Sequence, residues 1–333
     1  MPSAGCLVTA TLPTVPSPAV PPSPTDIAPY RRGNTGIDYA TTLDSGRTGP
    51  HALINAVLHG NEVSGATAID RLLRLGVRPA RGRLTLVLAN AAAYRCFDPA
   101  HPYASRFLDE DMNRLWSGAV LDGPRTSQEL RRARQLRPLY DSADALLDLH
   151  SMGSESPPMA LCGLLPRGHE LARRMGVPGW VVADGGHAGG RRLIEYGPFA
   201  DSGGTATAVL VECGQHWQPG TADMAVLCCL RFLLALDMLD PDRLAPPLAV
   251  QLAAHQPQPQ RRVTVTHTVT AATGHFSFNR PLMGMEIIPR RGTVIGHDGT
   301  APVTTPYDDC VLVMPARRVQ AGHTAVRLGY LEG

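Results

Sequence analysis

The sequence predicts an α/β fold: a mixed, largely parallel sheet flanked by helices, followed by a smaller all-β domain. Three observations carry this reading. Short apolar runs such as 52–58 (ALINAVL) and 206–212 (ATAVLVE) have strand length and suit a sheet buried on both faces. They alternate with helix-period stretches through residue 240, which is the pattern of an α/β layer architecture. Beyond a Pro/Gln-rich stretch the hydrophobic period becomes two, with strict alternation in 263–270 (VTVTHTVT). With 333 residues and 44% hydrophobic content, the chain can bury one large core and a smaller one.

Taken in order, residues 1–30 carry a Pro/Ser-rich stretch that reads as an extended lead-in. The main α/β domain spans 31–245. Its first strand, 52–58, runs into His59-Gly60-Asn61-Glu62. A helix over 64–75 follows, with Ala68, Ile69, Leu72, Leu73 and Leu75 as its apolar stripe and Gly76 ending it. Residues 84–89 form the next strand, and 91–113 a long polar loop, a length that is usually functional. An arginine-rich helix is expected at 126–139 and a strand at 145–149, leading into His150. A short helix (169–175), a short strand (180–183), the strand 206–212 and a helix (222–239) complete the domain. Residues 246–261 read as a linker from their Pro and Gln content, and 262–333 as a small β domain cut by Gly and Pro.

Composition excludes several function classes. Charged residues make up 18% of the chain and the net charge is +2, so neither nucleic acid nor an anionic membrane is expected as a partner. All 31 basic residues are arginine, which rules out a lysine Schiff base and a Walker A loop. No GxSxG elbow is present, which disfavours a serine hydrolase. The seven cysteines show no CxxC pair, and several lie in apolar runs. Buried free thiols in a reducing compartment are expected. With no signal-peptide pattern and no window near the roughly 20 apolar residues of a membrane span, the expected location is cytoplasmic.

In an open α/β sheet, ligands bind beyond the carboxyl ends of the strands. Three apolar strands here lead into His59, His150 and Glu212. His59 and Glu62 flank a tight Gly-Asn turn and can point into one crevice, with His150 approaching from a neighbouring strand. Two imidazoles and a carboxylate form a catalytic zinc shell that leaves a position for water. Glu212 is then placed to move the water proton to the leaving nitrogen. The HxxE spacing by itself leaves open a strand-end His59 bonded to backbone.

Four motifs occur in order: His59-Gly-Asn-Glu62, Arg106-Phe-Leu-Asp-Glu-Asp111-Met-Asn113-Arg114, Asp148-Leu-His150 and Val211-Glu212-Cys-Gly214. In them the chain resembles the succinylglutamate desuccinylase/aspartoacylase family, a branch of the zinc carboxypeptidase-like hydrolases, over roughly residues 30–330. The resemblance implies a zinc carboxypeptidase-like fold and one Zn2+ per chain held by His59, Glu62 and His150. It implies Glu212 as the general acid-base and Arg106 as the cation stabilising the oxyanion. It implies Asn113 and Arg114 as the pair holding a substrate carboxylate, and Asp111 as the carboxylate orienting the first histidine. Asp148 shares a strand face with His150 and either orients it or caps a loop; the structural role is preferred.

The chain departs from the aspartoacylase pattern ahead of the catalytic glutamate. Ser202 stands where a second carboxylate-gripping arginine belongs, and Arg191 and Arg192 lie about twenty residues before Glu212. Tyr196 is a loose counterpart of the family's substrate-contacting tyrosine. The loop Gly185-Gly-His-Ala-Gly-Gly190 reads either as a specificity loop with His187 touching substrate, or as a surface turn. The expected activity is hydrolysis of a small N-acyl amino acid or related amide, and the expected partner is that small molecule. A homo-oligomer is left open. The resemblance implies that the β domain over 262–333 covers and narrows the active-site entrance, which argues against one competing reading, a metallocarboxypeptidase; the other is a non-catalytic zinc-binding protein, which would need neither Arg106 nor Glu212.

Overall fold

The computed structural model describes residues 23–187 and 189–332. Most of the Pro-rich lead-in therefore lies outside the described residues. Its end is packed rather than free. Ile27 is buried, the Tyr30 hydroxyl donates to Asp70 (2.6 Å), and the Tyr94 hydroxyl donates to the carbonyl of Thr25 (2.9 Å).

The fold is mixed α/β. The strands are β1 (Ala40–Asp44), β2 (His51–Ala56), β3 (Arg83–Leu88), β4 (Ala145–Met152), β5 (Met159–Leu161), β6 (Trp180–Ala183), β7 (Thr207–Gln215), β8 (Arg261–Thr270), β9 (Phe276–Phe278), β10 (Glu286–Ile288), β11 (Val294–Asp298), β12 (Ala301–Thr304), β13 (Cys310–Val313) and β14 (Thr324–Leu331). The helices are α1 (Val63–Arg74), α2 (Ala91–Tyr94), α3 (Gly118–Leu121), α4 (Gln128–Asp141), α5 (Pro166–Met175), α6 (Gly197–Ala200), α7 (Thr221–Ala235) and α8 (Pro246–Ala254). Among the described residues, eleven strands form one sheet in the order β1-β3-β2-β4-β7-β5-β6-β8-β14-β13-β10, and β12-β11-β9 form a small antiparallel sheet. The β3-β2-β4-β7 centre is parallel, and β1 closes its edge antiparallel.

Alternation along the central strands divides the core. Ala52, Ile54 and Ala56 of β2 and Ala145, Leu147 and Leu149 of β4 pack under α1, α5 and α7. Leu53 and Leu146 face the other way, with Leu130, Ala133, Leu136 and Tyr140 of α4 and Trp116. Asp148 and His150 share the parity of Leu146, and Glu212 that of Ala208 and Leu210, so all three lie on this second face.

The C-terminal strands extend the same sheet, because β8 pairs parallel with β6 and antiparallel with β14. The expected linker holds a helix, α8: Pro246 and Pro247 occupy its first positions, where a missing N–H costs nothing. The six described cysteines are free, and all but Cys96 are buried. No helix among the described residues is long and apolar enough to cross a membrane.

Candidate active site

The chain leaves β2 through Val57, a buried β-branched residue with φ of +62°. Such a backbone is strained. It turns His59 and Glu62 away from the sheet before α1 begins at Val63. Gly60, between them, is pressed against another segment. A Cβ there would lie 2.4 Å from Ser105 O, and its amide donates to Arg106 O at 3.0 Å. The turn and the arginine segment are therefore docked on each other.

His59, Glu62 and His150 come together, each buried, with one ligand atom from each inside a 4.8 Å group. His59 Nδ1 lies 2.7 Å from Glu62 Oε1, and His150 Nδ1 lies 3.0 Å from Glu62 Oε2. The far ring nitrogens are held by other carboxylates, His59 Nε2 by Asp111 Oδ1 at 2.9 Å and His150 Nε2 by Asp148 Oδ2 at 3.0 Å. With each Nε2 turned to an outer carboxylate, each Nδ1 faces a Glu62 oxygen, an arrangement that calls for positive charge between them, from a ring proton or from a bound cation in its place. Burial lifts the Glu62 carboxyl, but His59 and His150 outweigh it and hold Glu62 well below the usual carboxylate range. Burial opposes a charge on His150, but Asp148 and Glu62 hold its ring protonated well above the usual imidazole range. The donor set fits a divalent cation such as Zn2+.

Glu212 lies beside His150 in strand register. Its Oε2 is buried without a hydrogen-bond partner. Burial pushes its carboxyl up to about 8, opposed by His150 and reinforced by Glu62. A buried, unengaged carboxyl beside a cation site has the character of a proton-transfer group. Arg106 reaches the same cluster, with Nη2 3.1 Å from Asp111 Oδ2 and Nη1 3.7 Å from Glu62 Oε1.

Residues 48–183 match the family model for the succinylglutamate desuccinylase/aspartoacylase catalytic domain. Over this stretch the chain is similar to that family. Among its relatives, the N-acyl-aromatic-L-amino acid amidohydrolase (carboxylate-forming) A of Danio rerio is 35% identical over 111 residues, 29% of this chain and 31% of that protein. The succinylglutamate desuccinylase of Burkholderia orbicola is 37% identical over 87 residues, 25% of this chain and 23% of that protein. The matched stretches thus span less than a third of either relative. The solved succinylglutamate desuccinylase of Vibrio cholerae superposes with a TM-score of 0.64 at 20% identity, covering 88% of this chain and 86% of that one. A succinylglutamate desuccinylase/aspartoacylase from Rhodobacter sphaeroides gives 0.61 at 19%, covering 88% and 89%. At these identities the structures share the fold.

The expected site residues distribute unevenly. Asp111 sits against both His59 and Arg106. Asn113 is buried, and its Oδ1 accepts from the Leu193 amide at 2.8 Å. Arg114 donates Nη1 to the Asn113 carbonyl, and its Nη2 is 3.9 Å from Asp111 Oδ2. Tyr196 is not brought to the cluster: its hydroxyl lies 2.5 Å from Asp141 Oδ1 and accepts from Arg137 Nε at 3.0 Å, and its ring packs on Trp116. A cavity of about 390 Å3, lined by Asp184, Gly185, Gly186, His187, Arg191 and Glu195 among others, does not include His59, Glu62, His150 or Glu212.

Several supporting groups carry no sequence signal. Buried Glu129 of α4 accepts the amides of Leu108, Asp109 and Glu110 and so ties down the segment between Arg106 and Asp111. Asp148 is anchored by Asn55 Nδ2 (2.8 Å), and Asn55 in turn by the Tyr140 hydroxyl (2.8 Å). Asp148 thus sits where a ligand-orienting group belongs rather than at a loop cap. The Ser151 amide donates to Glu62 Oε2 (3.1 Å), and its hydroxyl lies 2.8 Å from His216 Nδ1.

Proposed function

We propose that the chain hydrolyses the amide bond of a small N-acyl amino acid or related amide in a zinc-dependent reaction. The observation that carries this reading is the pair of imidazoles turned toward Glu62 and backed by Asp111 and Asp148, with Glu212 alongside. Held by His59, Glu62 and His150, Zn2+ would supply water activation and polarisation of the scissile carbonyl. Glu212 takes the proton of the attacking water and passes it to the leaving nitrogen. Arg106, fixed by Asp111, faces the negative charge that develops on the carbonyl oxygen. Asn113 and Arg114 orient the substrate, Arg114 through a carboxylate. The C-terminal segment would narrow the entrance, in keeping with its docking on the loop that follows β4, where the Gly284 amide donates to the Glu155 carbonyl at 3.0 Å.

The names of the relatives point to linear amides joining acyl groups to amino acids, in keeping with this chemistry. The test is a joint measurement of metal content and amine release on a panel of N-acyl amino acids, with and without chelator. About one zinc per chain and chelator-sensitive cleavage, abolished in Glu212→Gln with metal retained, are expected. Metal-independent cleavage, or cleavage unchanged in Glu212→Gln, would overturn the mechanism.

A further inference from the structure

The place of the missing family arginine, at Ser202, is not the only route by which a guanidinium can reach this face. Val326 and Leu328 of β14 pack into a small cluster with Ile288, Ile295, Cys310 and Leu312. Alternation therefore turns Arg327 to the opposite side. There it is the cross-strand partner of Val313, which belongs to the same core face as Leu210 and Leu146. Arg327 thus lies on the sheet face that carries His150 and Glu212. It is 6% exposed, an unusual position for an arginine that does not have its donors satisfied.

Its pairing is incomplete. Arg327 Nε lies 3.1 Å from Asp184 Oδ2, yet it is not aligned to donate. The same Oδ2 accepts from Arg192 Nη1 at 2.9 Å. Among the described residues the Arg327 side chain makes no hydrogen bond. The loop that follows Asp184 connects this arginine to Arg114. Gly190 packs against the Arg114 backbone so closely that a Cβ would lie 2.3 Å from Arg114 O. His187 places Nε2 3.5 Å from Thr324 Oγ1 of β14, and its Nδ1 accepts from the Gly189 amide. Burial, with Arg114, Arg327 and Arg192, pushes the His187 ring down to about 4, so it is neutral and offers its Nε2–H as a donor. Glu212 is among the carboxylates that act on Arg327. Asp111 is engaged by Arg106 and Asp184 by Arg192. The guanidiniums of Arg114 and Arg327 are left underpaired.

We propose that Arg327, reaching in from β14, joins Arg114 and His187 in a subsite that binds a carboxylate of the substrate beside Glu212. The inference rests on the amidohydrolase reading for the identity of the ligand. It assigns the second guanidinium to the C-terminal strand instead of the segment before Glu212. Either half of the substrate can supply the carboxylate.

Three substrates separate the sources: an N-acetyl amino acid, the N-succinyl derivative of the same amino-acid amide, and the N-acetyl amino-acid amide with no carboxylate. In the zinc-loaded full chain, Arg327→Met should raise KM about tenfold or more for whichever carboxylate substrates use the subsite. It should leave kcat within about threefold and leave the neutral amide unaffected. Arg327→Lys keeps the charge beside Asp184 and covers the case in which the methionine variant does not fold; its KM should rise severalfold on the same substrates only. Calorimetric titration of the free amino acid and of succinate into wild type and variant gives an independent readout at constant ionic strength. If no amide is cleaved, the proposed function falls, and the titrations still decide the subsite. Equal KM changes on all three substrates, or carboxylate binding unchanged in both variants, would overturn the inference.

Discussion

The Gly60 amide donates to the carbonyl of Arg106 at 3.0 Å, so the turn that presents two candidate metal ligands also carries the segment that presents the candidate oxyanion cation. No side chain fits between them, since a Cβ on Gly60 would lie 2.4 Å from backbone atoms of both Ser105 and Ala93. The site is built from two backbones in contact, and its precision depends on that contact.

Gly60→Ala should therefore separate the two segments by a few tenths of an ångström or more. The expected result is a drop in kcat/KM of about a hundredfold, the order seen when catalytic groups are misplaced by about an ångström. Zinc content should fall too, because Gly60 lies in the turn that carries His59 and Glu62. Steady-state kinetics with metal analysis on the same preparation checks this, and wild-type kinetics would show that the contact is dispensable.

Glu129 presents the complementary case, a buried carboxylate that touches no reacting group but accepts three consecutive amides, those of Leu108, Asp109 and Glu110. Glu129→Ala leaves these donors unsatisfied and should cost about 2–4 kcal/mol of stability. It should also lower kcat/KM about tenfold or more by loosening Arg106. Glu129→Gln, which keeps one acceptor oxygen, should lie between. Urea unfolding and kinetics on both variants test it; an alanine variant as active and stable as wild type would refute the role.

The contrast between these residues shows what the sequence could reveal. The strands β2, β4 and β7 read clearly because both faces are buried and the runs are continuously apolar. The edge strand β1 did not, since only Ala40 among its five residues is buried, and β5 has three residues. The His59-Gly-Asn-Glu62 turn was visible because its members are contiguous. Glu129 and Leu108 are 21 positions apart, and Ser151 and His216 are 65; no spacing rule joins such pairs. The period-two pattern of β8 announced a strand, but not that it would pair with β6 and continue the main sheet. Tyr196 was placed by motif order, whereas packing against Trp116 and the bonds to Asp141 and Arg137 decided where its hydroxyl lies.

Asp148 is fully buried, and its two oxygens divide their work: Oδ1 accepts from Asn55 and Oδ2 meets His150 Nε2. Asp148→Asn keeps the size and loses the charge that favours the outward Nε2–H tautomer of His150. Zinc affinity should fall by about 10–100-fold, the usual cost of removing an orienting carboxylate. Competition against a fluorescent chelator measures it directly. Unchanged affinity would mean that His150 is oriented by strand geometry alone.

The last prediction concerns Glu212 in the metal-free protein. Burial raises its carboxyl from the ordinary value of 4.5 to about 8. A carboxyl whose folded-state value is raised binds its proton more tightly when folded. Its contribution to stability is therefore complete below pH 4.5 and is lost as pH rises toward 8. Glu212→Gln has no proton to lose. The stability of metal-free wild type relative to this variant should decline by roughly 1 kcal/mol per pH unit across that window, then level off. A cation at His59, Glu62 and His150 favours the ionised carboxylate, so loading zinc should flatten the wild-type curve over the same range. Urea unfolding of both proteins from pH 5 to pH 9, chelated and zinc-loaded, reads the effect. Parallel chelated curves would mean that Glu212 ionises in the folded protein as it does in the unfolded chain, which would remove the physical basis for assigning it the proton transfer.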